Sequence, residues 1–124
     1  RMLDLMHDLV NTHQERDAGF INTMTRLVEV KEEHAEECKR ETRVIWGDYF
    51  KDKHLEEFPQ LNGLVHKIME LGSKGRQTAD RQNGLALVEA VNEFAEIFWK
   101  TKGIATKKAK APYAPGLELV YPVL

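Results

Sequence analysis

The sequence predicts an all-α protein, a three- to four-helix bundle with a long N-terminal helix or helical hairpin and an extended C-terminal arm. Apolar residues recur at helical spacing through nearly all of residues 2–50, which contain no proline. Two further amphipathic stretches follow, one starting near Pro59 and one ending at Gly103. The chain of 124 residues, 42% hydrophobic and 31% charged, has the length and composition of a single domain with a real core.

The first fifty residues carry a seam of apolar residues on alternating three- and four-residue steps, typical of a helix packed along one line. A helix of about fifty residues would be roughly 75 Å long, more than the remaining helices of so small a domain can cover. We therefore predict a homo-oligomer that self-associates through this seam. If the helix instead breaks near residues 11–19, a short first helix folds back and a monomeric bundle becomes feasible. The seam comprises Leu3, Met6, Val10, Phe20, Met24 and Leu27.

The next two helices are predicted from their apolar faces and their ends. Pro59 suits the first turn of a helix, and Gly72 is placed to end that helix. Residues 73–78 then predict a mobile, cationic loop. Thr78 or Asp80 can cap the last helix, which carries apolar residues from 85 to 99 and is closed by Gly103.

The C-terminal residues change composition to lysine, alanine and proline, which divides the chain into a helical domain (1–103) and an extended arm (104–124). Residues 117–123 alternate in polarity, which predicts a segment lying in a groove or a short edge strand. We expect the arm to bind a protein partner. Weak nucleic-acid binding is a second alternative, disfavoured by a pI of about 6.2. The residues assigned to partner binding are Lys100, Lys102, Lys107, Lys108, Lys110, Tyr113, Leu117, Leu119 and Tyr121.

Charge and cysteine content narrow the class of protein further. Residues 1–60 carry a net charge of −5 and residues 61–124 a net charge of +3, which sum to the formal −2. No apolar stretch is long enough to cross a bilayer, so we expect no membrane association. The single cysteine, Cys38, favours a reducing compartment, and no export signal follows Arg1, so we expect a cytoplasmic protein.

A cluster of glutamates on the first long helix is the densest polar feature. Residues four apart on a helix are neighbours, so several like-charged pairs face only one clear favourable pair, between Glu36 and Arg40. Two interpretations of the cluster are open. The glutamates form a solvent-exposed helix face whose repulsion is screened by water and salt, or they bind a cation, which would be a metal ion, the lysines of the arm or a basic partner. The spacings Glu29-x-x-Glu32, Glu33-x-x-Glu36 and Glu93-x-x-Glu96 resemble the carboxylate pairs of MazG-like nucleotide pyrophosphohydrolases. That resemblance implies Mg²⁺ bound between facing helices and hydrolysis of nucleoside triphosphates.

Other catalytic groups are not indicated by their spacing. The five histidines do not fall into the paired spacings of metal-binding helices, and Cys38 sits among acids with no base beside it. We therefore expect a non-enzymatic assembly or adaptor protein without a cofactor. The MazG-like hydrolase with its Mg²⁺ is the alternative.

Overall fold

The computed structural model describes residues 1–13 and 15–124. In this part of the chain five helices are followed by two strands, and the predicted all-α fold class is confirmed. Among the described helices, none is both long and apolar enough to cross a membrane. The elements are α1 (Met2–Thr12), α2 (Ala18–Asp48), α3 (Asp52–Glu57), α4 (Leu61–Gln77), α5 (Arg81–Thr101), β1 (Thr106–Lys110) and β2 (Glu118–Pro122).

The first two helices form a hairpin. This is the predicted alternative in which a short first helix folds back, and not the single helix of about fifty residues. Asp17 caps the start of α2, since its side chain accepts a hydrogen bond from the backbone N–H of Phe20 at 2.8 Å. At the turn, the His13 and Phe20 rings lie 6.1 Å apart. At the other end, Leu3 lines the same groove as Ala35, so α1 runs back along α2.

The hydrophobic core lies between α4 and α5, closed by the end of α2. Leu61 and Ile68 of α4 are fully buried. Burying a side chain of this size contributes about 1.5–3 kcal/mol relative to leaving it exposed. The core cluster comprises Phe50, Leu61, Leu64, Val65, Ile68, Leu71, Ala90, Phe94 and Ile97.

Helix α4 does not end at Gly72 but contains that glycine in its interior, where it faces α2. It packs so closely against α2 that a Cβ at this position would lie 2.5 Å from Cγ of Lys39. The helix continues to Gln77, so the prediction of a loop over residues 73–78 is wrong for most of that segment. Arg76 therefore projects from a helix and not from a mobile loop.

The C-terminal arm is extended, and its two halves pair with each other. Gly103, with φ of +70°, follows the end of α5 as predicted. The chain then forms an antiparallel pair in which Thr106 lies opposite Pro122 and Lys110 opposite Glu118. Helix α5 holds this hairpin through Asn92, which hydrogen-bonds two backbone groups of β2.

Candidate functional site

Within the acidic face of α2, Glu36 is the glutamate that gathers cations of this chain. Glu36 lies 3.1 Å from Arg76 of α4, 3.7 Å from Arg43 and 3.9 Å from Lys39. The predicted Glu36–Arg40 pair does not form, since Arg40 lies 3.7 Å from Glu41 instead. Ion pairs with arginines on the two packed helices thus offset the repulsion at Glu36, while Glu29, Glu33 and Glu37 lie exposed to solvent.

The glutamates predicted to hold Mg²⁺ do not come together. Within residues 1–13 and 15–124, no three histidine, cysteine or acidic side chains are grouped closely enough to hold a metal ion. Glu96 instead lies 3.8 Å from Lys108 of β1, and Glu93 is exposed in a groove of about 570 Å³ beside the hairpin. The predicted set that stays dispersed is Glu29, Glu32, Glu33, Glu36, Glu93 and Glu96.

Cys38, on α2, is a half-buried thiol without an activating neighbour. Burial raises the pKa of the Cys38 thiol above its ordinary value. Its backbone carbonyl accepts the hydroxyl of Thr42 at 2.9 Å. Because a thiolate is both the nucleophile and the metal ligand, this environment disfavours either role.

The five histidines lie apart from one another in different parts of the fold. His7 contacts the carbonyl of Ala79 through Nε2 at 2.9 Å. The buried His54 stacks on Tyr49 and accepts the backbone N–H of Lys51 at Nδ1, at 2.9 Å. Structural roles of this kind account for His7 and His54, and His13, His34 and His66 do not join them in a cluster.

A groove of about 270 Å³ lies where the start of α1 meets α2 and α5. At its rim the Arg81 guanidinium donates to Asp4 at 2.7 Å, and this hydrogen bond holds the pKa of the Asp4 carboxyl below its usual range. Lys31, 9% exposed, donates to the carbonyls of Arg76 and Thr78 at 2.8 and 2.7 Å. Burial lowers the pKa of the Lys31 ammonium.

Sequence reasoning missed these contacts around the groove. In the sequence, Lys31 is a charged residue within a largely polar stretch. The one signal of its burial was that it lies four residues before Ala35, on the same helix face. The Asp4–Arg81 pair joins residues 77 positions apart, which no local pattern marks.

The residues of the predicted self-association seam differ in how far they are buried within the single chain, and the seam stays a prediction. Met6 is buried, Val10 is 42% exposed, and Leu3, Phe20, Met24 and Leu27 are half-buried. In the arm, Tyr113 is 64% exposed, whereas Leu117, Leu119 and Tyr121 are half-buried against the molecule. Lys102 sits over the Tyr49 ring at 4.9 Å, and Lys100, Lys107 and Lys110 are exposed to solvent.

Comparison with known proteins places this helical fold among metalloenzymes that act on superoxide. The family model of nickel-containing superoxide dismutase matches residues 1–102. The chain is 34% identical over 95 residues to the nickel superoxide dismutase of Streptomyces coelicolor, covering 75% of this chain and 72% of that protein. It is 34% identical over 77 residues to that of Streptomyces seoulensis, covering 62% of this chain and 59% of that protein.

Solved structures agree with this match. An apo structure of nickel superoxide dismutase superposes with a TM-score of 0.69 at 28% identity, over 82% of this chain and 86% of that one. A structure with nickel ligation of the oxidised state superposes with a TM-score of 0.69 at 27% identity, over 82% of each chain. The chain belongs to the nickel-containing superoxide dismutase family.

This finding corrects the functional predictions. The hypothesis of a non-enzymatic assembly or adaptor protein is wrong, because the family is one of enzymes, and so are both alternatives, the MazG-like hydrolase and the nucleic-acid binder. The expectations of no cofactor and of Mg²⁺ are wrong as well, since the family is defined by nickel. A coiled-coil assembly is likewise not what the family indicates.

The described residues do not fit a nickel centre. Imidazole nitrogen is a suitable ligand for nickel, and Ni²⁺ favours a square-planar or tetragonal arrangement of several such donors. The sequence has one cysteine, whose thiol burial keeps protonated, and none of the described histidines joins it in a metal-sized group. The described side chains of the helical body therefore form no nickel ligand set, and no catalytic step is assigned to them.

Proposed function

We propose that the protein is a superoxide dismutase of the nickel-containing family, in which residues 1–102 form the helical body of the enzyme. The family match over exactly this segment carries the proposal, because it spans all five described helices. Dismutation converts two superoxide anions and two protons into dioxygen and hydrogen peroxide. The proposal assigns no nickel ligand to the body, since its donors lie apart.

The test is to isolate the natural protein from its host and measure two quantities together. We expect about one nickel ion per chain by mass spectrometry, and superoxide consumption in a pulse-radiolysis assay that is lost when nickel is removed. A Cys38→Ser variant should keep both the metal and the activity. A natural protein that holds no nickel and consumes no superoxide would contradict the proposal.

Self-association belongs to the same proposal and is supported by apolar side chains left exposed. Val10 of α1 is 42% exposed and Ile21 of α2 is 57% exposed, although both belong to otherwise apolar helix faces. Val44 and Trp46 are exposed further along α2. Light scattering during size-exclusion chromatography should give a mass above that of one chain, reduced in an Ile21→Glu variant. A monomer at all micromolar concentrations would contradict it.

Two further predictions also stay proposals. A protein partner for the arm is supported by its exposed lysines and by the exposed side chain of Tyr113. A cytoplasmic location is supported by the single free cysteine. Fractionation of the host with an antibody against this chain tests the location, and recovery from the medium would contradict it.

A further inference from the structure

The C-terminal hairpin lies outside the family match, which ends at residue 102. A two-stranded sheet has two edges, and each edge presents unpaired backbone groups that can template another strand. The two edges of this hairpin are not equivalent, because α5 covers one of them.

The outer edge of β2 is closed by one side chain. Nδ2 of Asn92 donates to the carbonyl of Glu118 at 2.9 Å, and Oδ1 of Asn92 accepts the backbone N–H of Val120 at 3.1 Å. These are a carbonyl and an N–H that an added strand would require. Asn92 therefore blocks strand addition along this edge.

The outer edge of β1 is open. Ala111 donates to the carbonyl of Leu117 at 2.9 Å, and Val123 donates to the carbonyl of Ala105 at 2.8 Å. Because hydrogen-bonded pairs alternate along an antiparallel ladder, these two pairs fix which residues of β1 face β2. In the described part of the chain, no hydrogen bond reaches the backbone groups that face away from β2. The outward set is Thr106, Lys108 and Lys110.

The charge on this edge selects its partner. Lys107, Lys108 and Lys110 are exposed, and of these Lys108 lies 3.8 Å from Glu96 of α5. Glu118 is the one acidic residue between positions 104 and 124. A second copy of β1 would set lysines beside lysines, which is destabilising on neighbouring strands. The edge of β2 in a second copy is closed by Asn92. An acidic strand is the occupant that satisfies both the backbone groups and the lysines.

We propose that the open edge of β1 is a docking site for an extended acidic segment of another protein. The segment adds as a third strand, with backbone hydrogen bonds to the outward set and carboxylates beside the lysines. Lysines on an edge also discourage unselective pairing, so they give the site specificity. This binding activity is separate from the proposed dismutase activity and does not depend on it.

The test uses the full chain and a short, terminally blocked peptide that alternates glutamate and threonine. We expect binding detectable by NMR, with the largest amide shifts and slowed hydrogen exchange at Thr106, Lys108 and Lys110. Replacing glutamate by glutamine in the peptide should weaken binding roughly tenfold, since two or three partly exposed charge pairs are lost. Methylating the backbone nitrogens of the peptide that face β1 should abolish binding, because those N–H groups can no longer donate.

Variants of the chain separate this proposal from general attraction to lysine. A Lys107→Glu/Lys110→Glu variant should prefer the corresponding lysine peptide, and the matched Lys67→Glu/Lys74→Glu variant on α4 should bind like the unaltered chain. Three results would overturn the proposal: no binding at millimolar peptide, undiminished binding of the methylated peptide, or tighter binding of a single-stranded oligonucleotide without shifts in the β1 amides.

Discussion

Gly72 of α4 lies against the side chain of Lys39 of α2, so closely that a methyl group at residue 72 would sit 2.5 Å from Lys39 Cγ and 2.8 Å from Cδ. Lys39 is held there by a hydrogen bond from Nζ to the hydroxyl of Ser73 at 3.0 Å. The missing side chain at residue 72 leaves room for the Lys39 stem against α4, which continues past the glycine that the sequence marks as its end.

A Gly72→Ala substitution should therefore destabilise the fold, although alanine is the better helix former. We expect a loss of about 1–3 kcal/mol in the free energy of unfolding, typical of overpacking at a helix contact. Gly63→Ala on the same helix is the matched control, because nothing lies within 4 Å of its added Cβ. It should be neutral or stabilising by up to about 1 kcal/mol. Equal effects of the two substitutions in urea denaturation would show that the Lys39 contact does not restrict residue 72.

The Asp4–Arg81 pair predicts a pH dependence of stability. The hydrogen bond from Arg81 lowers the pKa of Asp4 in the folded state below its unfolded value, so the pair stabilises the fold above the ordinary carboxyl range. This contribution is lost as pH falls through the folded pKa. We expect Asp4→Asn to cost about 0.5–1 kcal/mol at pH 7 and nothing once Asp4 is protonated. The control is Asp8→Asn on the same helix, and a difference that persists unchanged into acid would contradict the assignment.

Lys31 predicts a second pH dependence, in which stability again rises with pH but because a cost of burial is relieved. Burial lowers the pKa of its ammonium in the folded state, so the cost of burying the charge is present at neutral pH. That cost is relieved as pH rises through the folded pKa, while the neutral amine still donates to the two carbonyls that end α4. The stability of the unaltered chain relative to Lys31→Met should therefore increase toward alkaline pH. The comparison with Lys67→Met, an exposed lysine, should show no such increase, and parallel curves for both variants would refute the prediction.

Asn92 is predicted to hold the hairpin against α5. An Asn92→Ala substitution removes both hydrogen bonds to β2, and we expect faster amide exchange at Val120 and a stability loss of about 1–2 kcal/mol. Glu93→Gln, the exposed neighbour, is the control and should leave the exchange of Val120 unchanged. Retained protection of Val120 in Asn92→Ala would mean that other contacts fix the hairpin.

Local patterns predicted the helices well because their apolar faces and caps are short-range features. Asp80 caps α5 as expected, accepting the N–H of Gln82 at 2.9 Å. In the middle of α2 the buried residues are Lys31, Ala35 and Thr42, which lie four and seven residues apart on one helix face. Weak or polar residues occupy that face because lysine stems and small side chains let α4 approach closely.

The functional prediction failed for a physical reason. In the part of the helical body that the structure describes, no metal donors form a cluster, and the spacing of donor residues in the sequence did not indicate nickel. The spacing of the α2 glutamates predicted a metal site. In the structure Arg76 pairs with Glu36 from the last turn of α4, a segment that the sequence predicted as a loop. The family is identified by sequence similarity along residues 1–102, and not by a short motif of metal donors.

The chain belongs to the nickel-containing superoxide dismutase family, yet the described side chains of its helical body form no metal-sized group. The most direct measurement is a titration of the 124-residue chain with Ni²⁺, followed by thiolate-to-nickel absorption and by metal analysis after desalting. We expect Cys38→Ser to give the same absorption and the same retained nickel as the unaltered chain, because burial raises the pKa of the Cys38 thiol and no metal-sized group of donors surrounds it among the described residues. A stoichiometric nickel ion that is retained by the chain and lost in Cys38→Ser would contradict the account.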